Sequence, residues 1–360
     1  MAAGIKSALQ NAGVTYLNAE AKLVKDGSNL SVEADNTVFA AQNIIIASGS
    51  AAILPPLEGV QKGFSAGFVL TNREILALTE VPKSLLVVGG GVVGLKLASY
   101  FNSLGAQVTV LEMLPHIGGN LDIELSTILL NNLQKKGVNF LLNAKLLTVA
   151  DGEVVYEQAG EKQELCCDKI LMSVGRAANV EGLGLAAAGV DFSARGIATN
   201  EFCETNIAGI YAIGDVNGRL MLAHTAYREA DVCINRILGI DDAVDYTIIP
   251  SVIYTNPETA SVGETAKSAA EKGYECEEVN VSLRHSGRYL AENEGGDGMC
   301  KIVLEKDSKR ILGVHLIANY SSEIIYGAGL LIQNQTKADD IEKIVFPHPS
   351  VSEIIREALI

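Results

Sequence analysis

Residues 85–112 read LLVVGGGVVGLKLASYFNSLGAQVTVLE, and the order of features within them decides the fold. Four apolar residues run into Gly89-x-Gly91-x-x-Gly94, a helical stretch ends at Gly105, a second apolar strand follows, and an acid, Glu112, closes it. Glycines at that spacing are a weak signal alone. Strand, glycine turn, helix, strand and terminal acid together make a βαβ dinucleotide-binding fingerprint. Gly89 permits the tight turn, Gly91 lets a pyrophosphate approach the backbone, and Gly94 lets helix and strand pack closely. The helix start then offers unpaired N–H donors to the phosphates. Glu112 can accept hydrogen bonds from both adenosine ribose hydroxyls. Met113, Leu114 and Pro115 follow it with no arginine, so a 2′-phosphate would meet negative charge and NAD is expected over NADP.

The 360 residues exceed one ordinary core, so several domains are expected. The start, MAAGIKSALQNAGV, reads as part of a folded helix rather than a targeting sequence, which favours the cytoplasm. Residues 14–50 alternate as short strands broken at Asp26-Gly27 and Asp35-Asn36, a small antiparallel meander feeding a buried strand. A proline-rich connection (51–59) and a short helix in TNREILALTEVPK lead to the fingerprint. Beyond it come a crossover helix, DIELSTILLNNLQKKG, and the strands VNFLLNAKLLTV, EVVYEQ and KILMSVG. A strand ending at Gly214-Asp215 precedes a helix from about Leu222, and Asp215 at a strand C-terminus stands where ligands of open α/β sheets bind. The last hundred or so residues alternate strands with helices and finish in HPSVSE, His348 to Glu353, where a histidine is followed by proline and a carboxylate opens the final helix. That pattern suits proton transfer.

No run of eighteen apolar residues could span a bilayer. A formal net charge of -15 with no local Lys/Arg cluster repels a phosphate backbone, so no nucleic-acid partner is expected. The six cysteines show no C-x-x-C and no metal-ligand spacing, so no metal is expected. Cys166-Cys167 reads as a strand edge with one thiol in and one out.

The segments NIIIASGS, PKSLLVVGGGVVGL, LMSVGR, TNIAGIYAIGDV, LAHTAYREA, IPSVIYTNPETASVG and HPSVSE, in this order, resemble the flavin-dependent pyridine nucleotide-disulfide oxidoreductases, and most closely the dihydrolipoamide dehydrogenases. The resemblance covers essentially the whole chain. It implies an α/β fold with a Rossmann-like NAD-binding domain, a partial FAD-binding domain and an α+β dimer-interface domain. It places Ser48, Gly49, Ser50 and Asp215 at FAD, with Met221, Leu222, Ala223 and His224 along the flavin. It places Gly89, Gly90, Gly91, Val92, Val93, Gly94, Glu112, Leu146 and Gly175 at NAD. By the same resemblance His348 takes a proton from dihydrolipoamide at the active site of the second subunit of a homodimer, and Glu353 fixes its tautomer. The implied partner is a lipoyl-bearing protein of a 2-oxo acid dehydrogenase or glycine cleavage complex. The implied segments are 1–72 and 199–245 for FAD, 73–198 for NAD and 246–360 for the interface.

Three departures qualify this. The family's first G-x-G-x-x-G unit and its C-x-x-x-x-C redox disulfide have no counterpart in the sequence, so the chain is expected to be a fragment or a truncated product, inactive alone in dihydrolipoamide turnover. Lys96 stands where relatives usually carry a glutamate that pairs with a lysine beside that disulfide. Ala21 replaces a glycine usually found near FAD. A non-catalytic, NAD-binding dimeric module therefore remains the alternative to an oxidoreductase.

Overall fold

The computed structural model describes residues 2–26, 29–150 and 152–360, and the fingerprint folds as its pattern requires. Strand Ser84–Val88 buries four of its five residues, helix Val92–Ser103 follows the glycine turn, and strand Gln107–Leu111 returns parallel to the first. Three more short strands complete a five-stranded parallel sheet in the order 69–70, 169–172, 84–88, 107–111, 139–141. Near-continuous apolar runs such as Leu85-Leu86-Val87-Val88 are what a parallel sheet covered on both faces requires.

The crossover helix spans Ile123–Lys135. Leu125, Leu129 and Leu133, four residues apart, form one fully buried stripe, each contributing roughly 2 kcal/mol of apolar burial. Its N-cap is Asp122, whose Oδ1 accepts from Glu124 N at 3.0 Å and Leu125 N at 3.3 Å. The expected single run VNFLLNAKLLTV is two strands. Asn143, at φ 54°, breaks it, so Asn139–Leu141 joins the parallel sheet while Ala144–Ala150 begins an antiparallel three-stranded sheet with 153–158 and 161–166. Helix Asn72–Leu76 carries a capping box between Thr71 and Glu74.

Residues 52–176 form one compact unit with 245–360. The later segment is an antiparallel five-stranded sheet in the order 251–253, 258–263, 311–318, 299–305, 276–282, backed by helix Ser321–Gln333. Lys301, with a side chain only 3% exposed, links the two segments. Its ammonium meets Asp122 Oδ2 at 2.9 Å, Glu124 Oε2 at 2.6 Å and Glu278 Oε1 at 3.2 Å. Burial alone would lower its pKa, but the carboxylates of Glu124 and Asp122 hold it above the ordinary lysine range.

The other compact unit contains residues up to 51 and 177–244. It opens with helix Ala2–Asn11 and a three-stranded antiparallel meander, 21–26, 29–34, 37–40. Asp35 and Asn36, at φ 48° and 58°, make the second turn left-handed at both positions, the twist a tight hairpin prefers. The Gly27 half of the first expected break lies outside the described residues. Strand Ile44–Ile46 pairs in parallel with Ile210–Ala212, and helix Ala223–Ile237 follows. Among the described residues no helix is long and apolar enough to cross a membrane.

Candidate nucleotide and proton-transfer sites

The turn glycines divide the labour as their spacing implies. A Cβ on Gly89, at φ +104°, would stand 2.5 Å from Ser173 O, and one on Gly94 would stand 2.1 Å from Gly89 O. A Cβ on Gly91, the N-cap of helix Val92–Ser103, would meet nothing within 4 Å. Gly91 is therefore the glycine whose bare backbone faces open space, beside the helix N–H groups that have no partner within the helix.

That space is a cavity of about 620 Å³, lined among others by Gly89, Gly91, Val92, Val93, Glu112, Leu146 and Gly175, which brings seven of the nine expected nucleotide residues together. The other two do not line it. Gly94 is packed behind the turn, and Gly90 lies under the Glu112 side chain. The Glu112 carboxylate is already held in place: Oε2 accepts from Gly90 N at 2.6 Å and Oε1 from Leu114 N at 2.8 Å. Each oxygen keeps a lone pair for a ribose hydroxyl. Open backbone at Gly91 and an oriented acceptor at Glu112 fit a dinucleotide.

Sequence reasoning missed Asn72, Lys145, Ser173 and Arg176 on the same walls. Asn72 accepts from Arg176 Nη1 at 3.4 Å, and Ser173 Oγ donates to the carbonyls of Val88 and Gly89 at 3.0 Å. Lys145 precedes Leu146 on one strand, and simple alternation would have sent it to the opposite face.

In the unit of 177–244, the expected flavin residues form a hydrogen-bonded group of their own. Ser48 Oγ donates to Asn179 O at 2.8 Å, Asn179 Nδ2 returns to Ser48 O at 2.9 Å, and Asn179 N donates to Gly49 O at 2.9 Å. Ser50 Oγ donates to Asp215 Oδ2. Asp215 sits in the one-turn helix Gly214–Asn217, and Met221 and Leu222 lead into helix Ala223–Ile237, where Ala223 and His224 are exposed. No side chain caps that helix at Leu222.

His348 Nδ1 lies 2.9 Å from Glu353 Oε1, and Ser350 N donates to Glu353 Oε2 at 2.8 Å. The Ser350 N–H, and then His348, hold the Glu353 carboxyl below its usual range. The His348 side chain is 83% exposed against 23% for Glu353, which leaves Nε2 facing outward. An anchored carboxylate behind an exposed imidazole is the arrangement of a general base.

Lys96 does not face solvent freely. It lies 4.8 Å over the ring of Tyr254, and burial lowers its pKa. All six cysteines are free. Cys166 is exposed and Cys167 buried, as alternation requires, and burial pushes the thiols of Cys167, Cys203, Cys233 and Cys300 up to about 11, 12, 11 and 12. Among the described residues no group of three or more His, Cys, Asp or Glu side chains could hold a metal ion.

Residues 1–230 match the pyridine nucleotide-disulphide oxidoreductase family, and residues 249–359 match that family's dimerisation domain. The chain is 35% identical to the mitochondrial dihydrolipoyl dehydrogenase of Caenorhabditis elegans, over 99% of this chain and 73% of that protein. It is 36% identical to the dihydrolipoyl dehydrogenase of Bacillus subtilis, over 90% and 69%. Among solved structures, LpdA from Mycobacterium tuberculosis superposes with a TM-score of 0.87 at 24% identity, covering 99% of this chain and 79% of that one. The α/β architecture is thus a flavoprotein disulfide reductase fold, the family's cofactors are FAD and NAD, and its dimerisation domain makes the working unit a homodimer. The chain belongs to the pyridine nucleotide-disulphide oxidoreductase family and is an oxidoreductase of its dihydrolipoyl dehydrogenase type.

Proposed function

We propose that the chain binds NAD in the cavity beside Gly91, with the pyrophosphate on the N–H groups of the turn and the adenosine ribose on Glu112. The observation that carries this reading is the Glu112 carboxylate, fixed by two backbone N–H groups at the rim of the groove. A 2′-phosphate placed there would face its charge, which favours NAD over NADP.

FAD is assigned to Ser48, Gly49, Ser50, Asp215 and the segment Met221–His224. When bound, the flavin supplies the two-electron relay between thiols and nicotinamide. His348 Nε2 takes the proton of a dihydrolipoyl thiol, and the resulting thiolate needs a redox disulfide that none of this chain's six cysteines supplies. Glu353 keeps the imidazole proton on Nδ1, so that Nε2 stays free to accept. His348 serves the active site of the second copy in the homodimer. The partner is a lipoyl-bearing protein of a 2-oxo acid dehydrogenase or glycine cleavage complex, a reading that the names of the similar proteins support.

A crystal structure of the chain soaked with NAD tests the site. Ribose hydroxyls on Glu112 and a pyrophosphate against Gly91 to Val93 are expected. A dinucleotide seated elsewhere, or an ordered complex in which Glu112 contacts no ribose, would overturn the reading.

A further inference from the structure

Glu229 is fully buried, a costly position for a carboxylate unless hydrogen bonds replace its water. Its Oε2 accepts from Gly214 N at 2.5 Å, and its Oε1 accepts from Asn217 Nδ2 at 2.9 Å. Both donors belong to the short turn Gly214–Asn217 that carries Asp215. Glu229 itself is on helix Ala223–Ile237, five residues beyond His224. One buried side chain therefore fastens the turn that presents Asp215 to the helix that begins with Ala223 and His224.

The polarity of this joint is fixed from both ends. Asn217 Oδ1 accepts from Arg219 N at 3.0 Å, so the Asn217 amide cannot flip without losing that bond. Gly214 N can only donate. Two donors thus face Glu229, and only a group that accepts with both oxygens satisfies them. On the far side of the turn, Asp215 takes the Ser50 hydroxyl, which continues the connection to the segment Ser48–Ser50.

We propose that Glu229 is a positioning residue for the flavin site, holding Asp215 and the start of the helix in the mutual geometry that flavin binding needs. The proposal rests on the assignment of Ser48–Ser50, Asp215 and Met221–His224 to FAD. It goes further in naming a group that touches no cofactor and sets the placement of those that do.

The chemistry supplies its own rescue. Glu229→Gln turns one oxygen into a donor that opposes the Asn217 amide, and Asn217→Asp sets two carboxylates against each other. The double variant Asn217→Asp/Glu229→Gln restores one donor and one acceptor across the pair, keeps an acceptor for Gly214 N and keeps one for Arg219 N. Two readouts on the full chain separate the possibilities: FAD affinity from flavin fluorescence quenching, and amide hydrogen exchange at residues 214–217, with strand Ser84–Val88 as internal control. Each single variant should weaken FAD binding at least tenfold and speed exchange in the turn at least tenfold, and the double variant should return both to within threefold of wild type. Faster exchange with unchanged FAD affinity would reduce Glu229 to a structural role and overturn the proposal. Unchanged exchange in Glu229→Gln would overturn the joint itself. A wild-type chain that takes up no FAD while its turn exchanges as described would sink the flavin assignment beneath the proposal, a failure distinguishable from the other two.

Discussion

His348 Nδ1 and Glu353 Oε1 are 2.9 Å apart, and the backbone N–H of Ser350, 2.8 Å from the other carboxylate oxygen, holds Glu353 in that pose. The carboxylate is the better-fixed partner, so it sets the imidazole tautomer. With Glu353→Gln the Ser350 N–H claims the amide oxygen and turns the amide NH2 toward His348 Nδ1, so the preference reverses to a proton on Nε2. A long-range proton–nitrogen spectrum of the neutral imidazole should show the proton on Nδ1 in the wild type and on Nε2 in the variant. Identical spectra would contradict the pairing. The pH dependence has a definite sign. A carboxyl whose folded pKa is lowered contributes stability that is present above the ordinary carboxylate value and is lost as pH falls through the lowered one. The tether should therefore persist at neutral pH and fail only in acid.

Gly91 and Gly94 are three residues apart and should respond oppositely to the same methyl group. Gly94→Ala drives a Cβ to 2.1 Å from Gly89 O, a backbone atom that cannot step aside. Overpacking of this kind costs roughly 1–3 kcal/mol or more. Gly91→Ala meets no protein atom within 4 Å and should leave thermal stability within about 1 kcal/mol of wild type while weakening NADH, because the methyl occupies the ligand's path. Paired melting curves and NADH titrations check both. A Gly91→Ala chain that binds NADH normally would remove that glycine from the site.

Lys301 offers a test of how the segments 52–176 and 245–360 hold together. Lys301→Met leaves Asp122, Glu124 and Glu278 facing one another without their cation. Removing one member of a buried ionic group costs about 3–5 kcal/mol. Glu124 is 51% exposed, so Glu124→Gln should cost no more than about 1 kcal/mol. Urea unfolding followed by tyrosine fluorescence should give that ranking, and equal losses would contradict it.

What the sequence made legible was what local chemistry dictates. The glycine turn and Glu112 could be read because the turn's sterics demand those residues within one continuous stretch, and HPSVSE could be read because both members of the pair lie five residues apart. The Lys301 cluster could not, since Asp122 and Lys301 are separated by 179 positions and a lone lysine in a strand gives no sign of its partners. Lys145 was hidden for a different reason: alternation predicts a face, whereas the groove wraps the strand end beside the left-handed Asn143. Nothing in the sequence around Glu229 marks it, and only the fold brings Gly214 and Asn217 to it.

The buried thiols make a prediction about redox chemistry. With Cys167, Cys203, Cys233 and Cys300 held at about 11 to 12, a thiol reagent at pH 8 should label at most two of the six cysteines quickly, Cys166 and Cys276. More than two fast thiols would contradict the burial. A raised folded pKa gives stability that is complete below the unfolded value near 9 and is lost as pH rises through the folded one, so unfolding should become easier between about pH 9 and 12. Because no two of these cysteines form a disulfide, the chain alone should not oxidise dihydrolipoamide even with excess FAD.

If the groove beside Gly91 is an NAD site read out by Glu112, calorimetric titration of the chain with NADH and then with NADPH will show it. A carboxylate that accepts two ribose hydroxyls contributes about 1.5–3 kcal/mol per charged hydrogen bond. NADH should bind at least about tenfold tighter than NADPH, and in Glu112→Ala NADH should weaken by roughly a hundredfold or more while the discrimination disappears. NADPH binding as tight as NADH, or a Glu112→Ala variant that still tells the two apart, would contradict it.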